Sequence, residues 1–110
     1  MRIEYATLAL ERILEIAEHR FPDASERART WMSEAIEHAS RLEVFPHLGR
    51  RISSWTDSVG GGQHVRRLLF RDVWIVCEVR QADPDADDVH PDDHILVLTV
   101  RHVREQPGED

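Results

Sequence analysis

Apolar and polar positions alternate differently in the two halves of this chain, with a period near 3.6 in the first and near 2 in the second. The runs Val65 to Phe70 and Val73 to Val79 are rich in β-branched and aromatic residues and flank the pair Arg71-Asp72, which predicts a β-hairpin. That pair lacks the glycine of the tightest hairpin turns, so the turn type stays open. Ile95 to Val100 has the same character and predicts a further strand. Arg2 to Tyr5 alternates and predicts a short first one.

Between the first strand and the hairpin the pattern is helical. Leu10, Ile13, Leu14 and Ala17 recur after Ala6, with Glu11, Arg12, Glu15, Glu18 and His19 opposite, which predicts a helix with one buried stripe and Thr7 as its side-chain cap. Phe21-Pro22 ends it. Asp23, followed three places later by Glu26, resembles a capping box opening a second helix, whose apolar face runs through Ala28, Trp31, Met32, Ala35, Ile36, Ala39 and Leu42. The short link predicts an antiparallel helical hairpin. Pro46 and Gly49 then break the period. Ile52 to Gln63, with Gly60-Gly61-Gly62, reads as a loop, because the triplet lacks the spacing of a phosphate-binding P-loop and no helix follows it.

At 110 residues the chain is large enough for one domain with its own core. We expect a single domain over 1–110, with a core at about 2–104, an acidic loop at 83–94 and a flexible tail at 105–110. Its one cysteine, Cys77, lies within a predicted strand and reads as a small buried hydrophobe. Glu4, Glu11, Glu15 and Glu18 interrupt the apolar positions of the first 25 residues, and no run approaches the ~20 apolar residues of a membrane span. A soluble, cytoplasmic protein is expected, with no membrane contact.

The net charge of −7 is unevenly placed. Residues 1–80 balance 12 arginines against nine glutamates and three aspartates, whereas 83–93 hold six aspartates and no arginine. Every fixed positive side chain is arginine, since the chain has no lysine. Arginine grips phosphate and carboxylate through a planar fork but stays protonated, so it is no conventional general base. His90, Asp92, Asp93 and His94 are of metal-ligating type, but their spacing fits no closed site and they read as a solvated hairpin tip. We expect no metal and no cofactor. Arg66 and Arg67 are adjacent in a strand and must point to opposite faces, as must Arg101 and His102. One of the first pair, with Arg50 or Arg51 and His102 or Arg104, would then share a face of the sheet; solvated ion pairs are the plainer use of the same charges.

Four segments in order carry a family resemblance. Leu42-Glu-Val-Phe-Pro46-His-Leu-Gly49-Arg50 resembles the Leu-x-x-x-Pro-x-x-Gly-Arg segment of the RelE/ParE toxin superfamily. Arg66-Arg67-Leu68, the run Val73 to Val79, and Val97 to Arg104 resemble its later strands. The resemblance implies an α+β fold: an N-terminal strand, then a two-helix antiparallel hairpin packed on a small, mostly antiparallel β-sheet. It also implies the toxin of a type II toxin–antitoxin pair, held by a cognate antitoxin and acting on growth. On the ribosome-dependent branch such chains cleave mRNA, and the matching residues here would be Arg66, Arg67, His102 and Arg104. This sequence departs from that branch, since Trp74 stands where an arginine would be, Val73 where a tyrosine would be, and no tyrosine follows Tyr5. Cleavage would lose charge stabilisation and a proton shuttle. The ParE-like branch, associated with inhibition of DNA gyrase by binding, is favoured, with Arg50, Arg51, Arg66, Trp74 and Arg101 as partner-binding residues. The antitoxin would lay an amphipathic helix or an extended strand against the chain. An mRNA endonuclease, or a relic that only binds antitoxin, are the alternatives.

Overall fold

A computed structural model describes residues 1–52, 65–82, 85, 88 and 90–105. Strand β1 (Arg2–Tyr5) leads into helix α1 (Thr7–Arg20), helix α2 (Ser25–Ala39) and a 3-10 turn (Ser40–Glu43). Strands β2 (Arg50–Arg51), β3 (Val65–Phe70), β4 (Val73–Arg80) and β5 (His94–His102) follow, and a last 3-10 turn covers Val103–Glu105. The strands form one sheet in the order β1-β5-β4-β3-β2. β1 runs parallel to β5, and every other pairing is antiparallel. This is the α+β arrangement expected. The predicted loop 52–63 and its glycine triplet lie almost wholly outside the described residues, as do 83, 84, 86, 87 and 89 of the acidic loop and 106–110 of the tail.

The helical hairpin covers one face of the sheet. Ala9, Ile13, Ile16 and Ala17 of α1 and Ala28, Trp31, Ala35 and Ala39 of α2 pack with Leu42 against Ile75, Cys77, Val79, Ile95, Val97 and Val100. Alanine at so many contact positions lets the helices approach the strands closely. Cys77 is buried, and desolvation pushes its thiol up to about 12, so it behaves as the inert hydrophobe its setting suggested. A smaller cluster, Ile52, Val65 and Val76 with Leu98, lies on the opposite face.

Three local readings need correction. The buried stripe of α1 includes Ala9 and Ile16, whereas Leu10 and Leu14 are 49% and 48% exposed. The longest apolar residues had been assigned inward, but small Ala9 is what the close α1–sheet approach admits. Ile36 likewise turns outward, at 43% exposure. Neither predicted cap forms: α1 begins after Ala6 and α2 after Ala24, both without a side-chain cap bond. Finally, α2 tightens into the 3-10 turn at Ser40, so the predicted helical face through Leu42 spans two elements.

Candidate functional site

Strand register decides which arginines can act together. Directly opposed residues of an antiparallel pair share a face. Arg50 pairs with Arg67, Arg67 with Val76, Leu69 with Trp74, and Trp74 with Arg101. Arg50, Arg67, Trp74 and Arg101 therefore stand on the face turned away from the helices. Arg51 pairs with Arg66, which pairs with Cys77, so those two arginines belong to the helix-side face. An extra residue in β5, where Val76 pairs with Thr99 and Cys77 with Val97, gives the later part of the strand this orientation.

On the far face the Arg67 guanidinium lies over Trp74, 4.1 Å from the ring centroid. Arg67 itself is buried, at 6% exposure, while Trp74 and Arg101 are half-buried and Arg50 exposed. A cation held on an indole face in a desolvated setting is worth about 2 kcal/mol. The stack holds the Trp74 ring between the charge of Arg67 and its cross-strand neighbour Arg101, with Arg50 opposite Arg67 on the next strand. Arg66 instead donates to the Gly49 carbonyl at 3.3 Å and so ties β3 to the crossing segment.

The histidine and arginine set suggested for cleavage is divided between surroundings. His102 faces the helices, with Nε2 at 3.0 Å from Asp72 Oδ2. Its Nδ1 accepts the backbone N–H of Arg104 at 3.1 Å. A ring that accepts at Nδ1 carries its proton on Nε2, which then donates to Asp72. Asp72 Oδ2 also accepts from Arg20 at 2.6 Å, and the Arg20 guanidinium lies over Trp31 at 5.5 Å. Asp72 thus joins the end of α1, the β3–β4 turn and the end of β5. Arg71, beside it, adopts φ +55° in that turn and pairs with Glu34 of α2. An open cleft of ≈ 620 Å³ borders this network, lined by Arg12, Glu15, Ile16, His19, Arg20, Asp72 and His102.

The sequence reading missed this cleft. Asp72 was assigned only to the turn, and Arg12, Glu15 and His19 only to the polar side of α1. Leu8, Arg12, Glu15 and His19 do recur at helical spacing, and that stripe was the available signal.

The Arg20 hydrogen bond is the largest influence holding the Asp72 carboxyl below its ordinary value of 3.8, against a smaller upward push from desolvation. A depressed folded value means that the contribution is present above pH ~4 and is lost as pH falls through the folded value. Asp72→Asn is expected to lower stability at pH 7 by about 1 kcal/mol, discounted because the side chain is 45% exposed. The difference should disappear on acidification below pH ~4, as followed by urea unfolding at a series of pH values.

At the tip of the acidic loop, Asp93 is buried and accepts the backbone N–H groups of Ala82 and His90, both at 2.8 Å, which lowers its pKa. The Nδ1 of His90 accepts from the Asp92 N–H, and His94 Nδ1 lies 3.0 Å from the Asp92 carbonyl. These groups build the turn rather than converge on a common point, and among the described residues no cluster of metal-ligating side chains occurs. No helix among them is long and apolar enough to cross a membrane.

Residues 3–107 match the family model described as the ParE toxin of type II toxin–antitoxin system, parDE. The chain belongs to the ParE toxin family. The match spans α1, α2 and the sheet from Ile3 onward, so every side chain placed in the site above lies inside the ParE-family region. A solved structure described as the chromosomal ParDE TA system from P. aeruginosa contains a chain of similar fold. Its TM-score is 0.64 at 19% identity, over 94% of this chain and 96% of that one. No curated protein matches. The chain is thus a RelE/ParE-superfamily toxin by family, and the family implies an antitoxin partner.

Proposed function

We propose that this ParE-family toxin arrests growth by binding DNA gyrase, without a chemical step of its own, and that a cognate antitoxin neutralises it. The observation that carries this reading is the engagement of both His102 ring nitrogens, one by Asp72 and the other by the Arg104 amide. A general base for RNA cleavage needs a nitrogen within reach of the ribose hydroxyl. The split of Arg66 and Arg67 between opposite faces supports the same conclusion, because cleavage also needs convergent charge. The Arg50, Arg67, Trp74 and Arg101 face fits a binding role, with a rigid aromatic and arginine anchors of the kind that dominate interface energetics. Arg51 and Arg66 stand apart from that face and serve the β2–β3 junction in this reading.

The antitoxin has a separate seat on the helices. Leu10 and Leu14 lie one turn apart on α1 and are half-exposed, as is Ile36 on α2. An amphipathic helix of the antitoxin laid over these residues would remove their apolar surface from water.

The test is expression of the chain in the bacterial cytoplasm from a tightly controlled promoter, with and without the product of the adjoining reading frame. Growth, plasmid supercoiling and transcript integrity are followed together. Arrest with altered supercoiling and intact transcripts, relieved by the neighbour, is expected. Cleaved transcripts would overturn the binding mechanism in favour of an mRNA endonuclease acting with the ribosome. Undisturbed growth despite soluble expression would leave only an antitoxin-binding relic.

A further inference from the structure

The register lays two rows of side chains next to each other on the face turned away from the helices. One row is Leu69, Trp74 and Arg101; the other is Arg50, Arg67, Val76 and Thr99, each residue directly opposite the next across the strands. The rows are one side-chain repeat apart, about 7 Å along the strands. Leu69, on β3, is 47% exposed, and half-buried Trp74 stands beside it on β4. These two form an apolar middle with an arginine on either flank, exposed Arg50 on β2 and half-buried Arg101 on β5. Neither row contains an acid. Glu78 and Glu4, which share this face farther along the strands, are paired with Arg80 and Arg2, both at 2.7 Å.

We infer that this area receives an acidic segment of the gyrase protein, with an apolar residue against Leu69 and Trp74 and a carboxylate at each flanking arginine. The inference rests on the gyrase reading above and names what the face recognises. DNA held by gyrase is the competing source of negative charge, and the chemistry of the face disfavours it.

Geometry selects the segment. Arg50 and Arg101 stand three strand spacings apart, about 14 Å across the sheet. In an extended chain, residues i, i+2 and i+4 share one side and cover about the same distance, which sets acid, apolar and acid at alternate positions. Each guanidinium can grip a carboxylate through two parallel hydrogen bonds. The Trp74 ring is already held by the Arg67 guanidinium, 4.1 Å from its centroid, so less side-chain freedom is lost when a partner packs on it. A DNA duplex would need a different surface. Its affinity comes from many phosphate contacts along a track of basic side chains. Here Arg50 is exposed but Arg101 is half-buried and Arg67 is 6% exposed, and the chain as a whole carries a charge of −7. A phosphate set down on Leu69 and Trp74 would also lose water without gaining a hydrogen bond.

The test titrates the full chain into DNA-free gyrase holoenzyme and, separately, into a short DNA duplex. Binding to gyrase without DNA is expected, and no binding to the duplex. Arg50→Glu and Arg101→Glu, made singly, should each weaken gyrase binding at least about tenfold, as should Leu69→Gln, with thermal unfolding within a few degrees of the parent. Arg101→Lys should keep more of the affinity than Arg101→Glu. The parent affinity should fall as salt rises, and each charge-reversed variant should show a flatter dependence, which damage to the fold alone would not produce. Unchanged affinity in both charge-reversed variants would overturn the acidic segment and leave the gyrase reading standing. Binding that needs DNA, or that occurs on the duplex alone, and is lost in the same variants would overturn it in favour of phosphate. No association with gyrase, with or without DNA, would remove the gyrase reading and this inference with it.

Discussion

Replacing Gly49 by alanine is expected to destabilise the fold by about 3 kcal/mol or more, from two additive sources of strain. Gly49 has φ +99°, a region that residues with a Cβ rarely adopt. A Cβ built there would also sit 2.6 Å from the Arg67 carbonyl oxygen and 3.1 Å from its carbon. Those atoms are backbone in the centre of the sheet, and they cannot swing aside as the end of a long side chain would. The closeness has a structural purpose. Gly49 leads directly into β2, whose residues Arg50 and Arg51 pair with Arg67 and Arg66, and the Gly49 carbonyl accepts from Arg66. With a total stability of roughly 5–15 kcal/mol for a domain of this kind, the loss would be large. A fall in melting temperature of at least 10 °C is expected by differential scanning calorimetry, using roughly 4 °C per kcal/mol as the lower slope for a domain near this size. An unchanged melting temperature would show that the crossing segment can retreat from β3. Arg50, next in the chain, would then not be held in place by this contact.

Much of the architecture is legible in the residues. β-Branched runs and their spacing indicate the strands, because a half-buried pleated surface selects those side chains. The helical period and the short Phe21–Ala24 link indicate the hairpin. Two physical effects hide the rest. Periodicity gives the direction of an apolar stripe only to within a flank, and close packing reversed the expected inward order on α1: Ala9 is fully buried while Leu10 and Leu14 stay half in water. The second effect is the extra residue in β5. Strict alternation would carry the orientation of Val97 on to Thr99 and Arg101, but Val97 pairs with Cys77 and Thr99 with Val76, so the facing changes between them. Arg101 consequently joins Trp74 on the far face, and His102 turns to Asp72. A strand sequence contains no strong signal for a bulge of this kind. The association of Arg12 and His19 with His102, distant in sequence, depends on the same geometry. The adjacency of Arg66 and Arg67 was different, because alternation alone separates their faces wherever the strand ends.

The substitutions Leu10→Gln and Leu14→Gln, made together, are expected to abolish neutralisation while leaving the toxin folded and active. Glutamine is close to leucine in length and helix propensity, so the helix itself loses little. Both positions are about half-exposed, and the core face of α1 is formed by Ala9, Ile13, Ile16 and Ala17 instead. Surface changes of this kind usually alter stability by little, and a melting temperature within a few degrees of the parent is expected. Binding should respond very differently. Burying a leucine side chain contributes about 1.5–3 kcal/mol, and every 1.4 kcal/mol is a factor of ten. The double variant should therefore bind the antitoxin at least about a hundredfold more weakly, measured by calorimetric titration. In cells it should still arrest growth, since Arg50, Arg67, Trp74 and Arg101 stand on the other side of the sheet. Co-expression of the antitoxin should no longer relieve that arrest. Retained neutralisation with unchanged affinity would move the antitoxin's main contact off the helices. Loss of both arrest and neutralisation in a folded variant would mean that target and antitoxin share this surface.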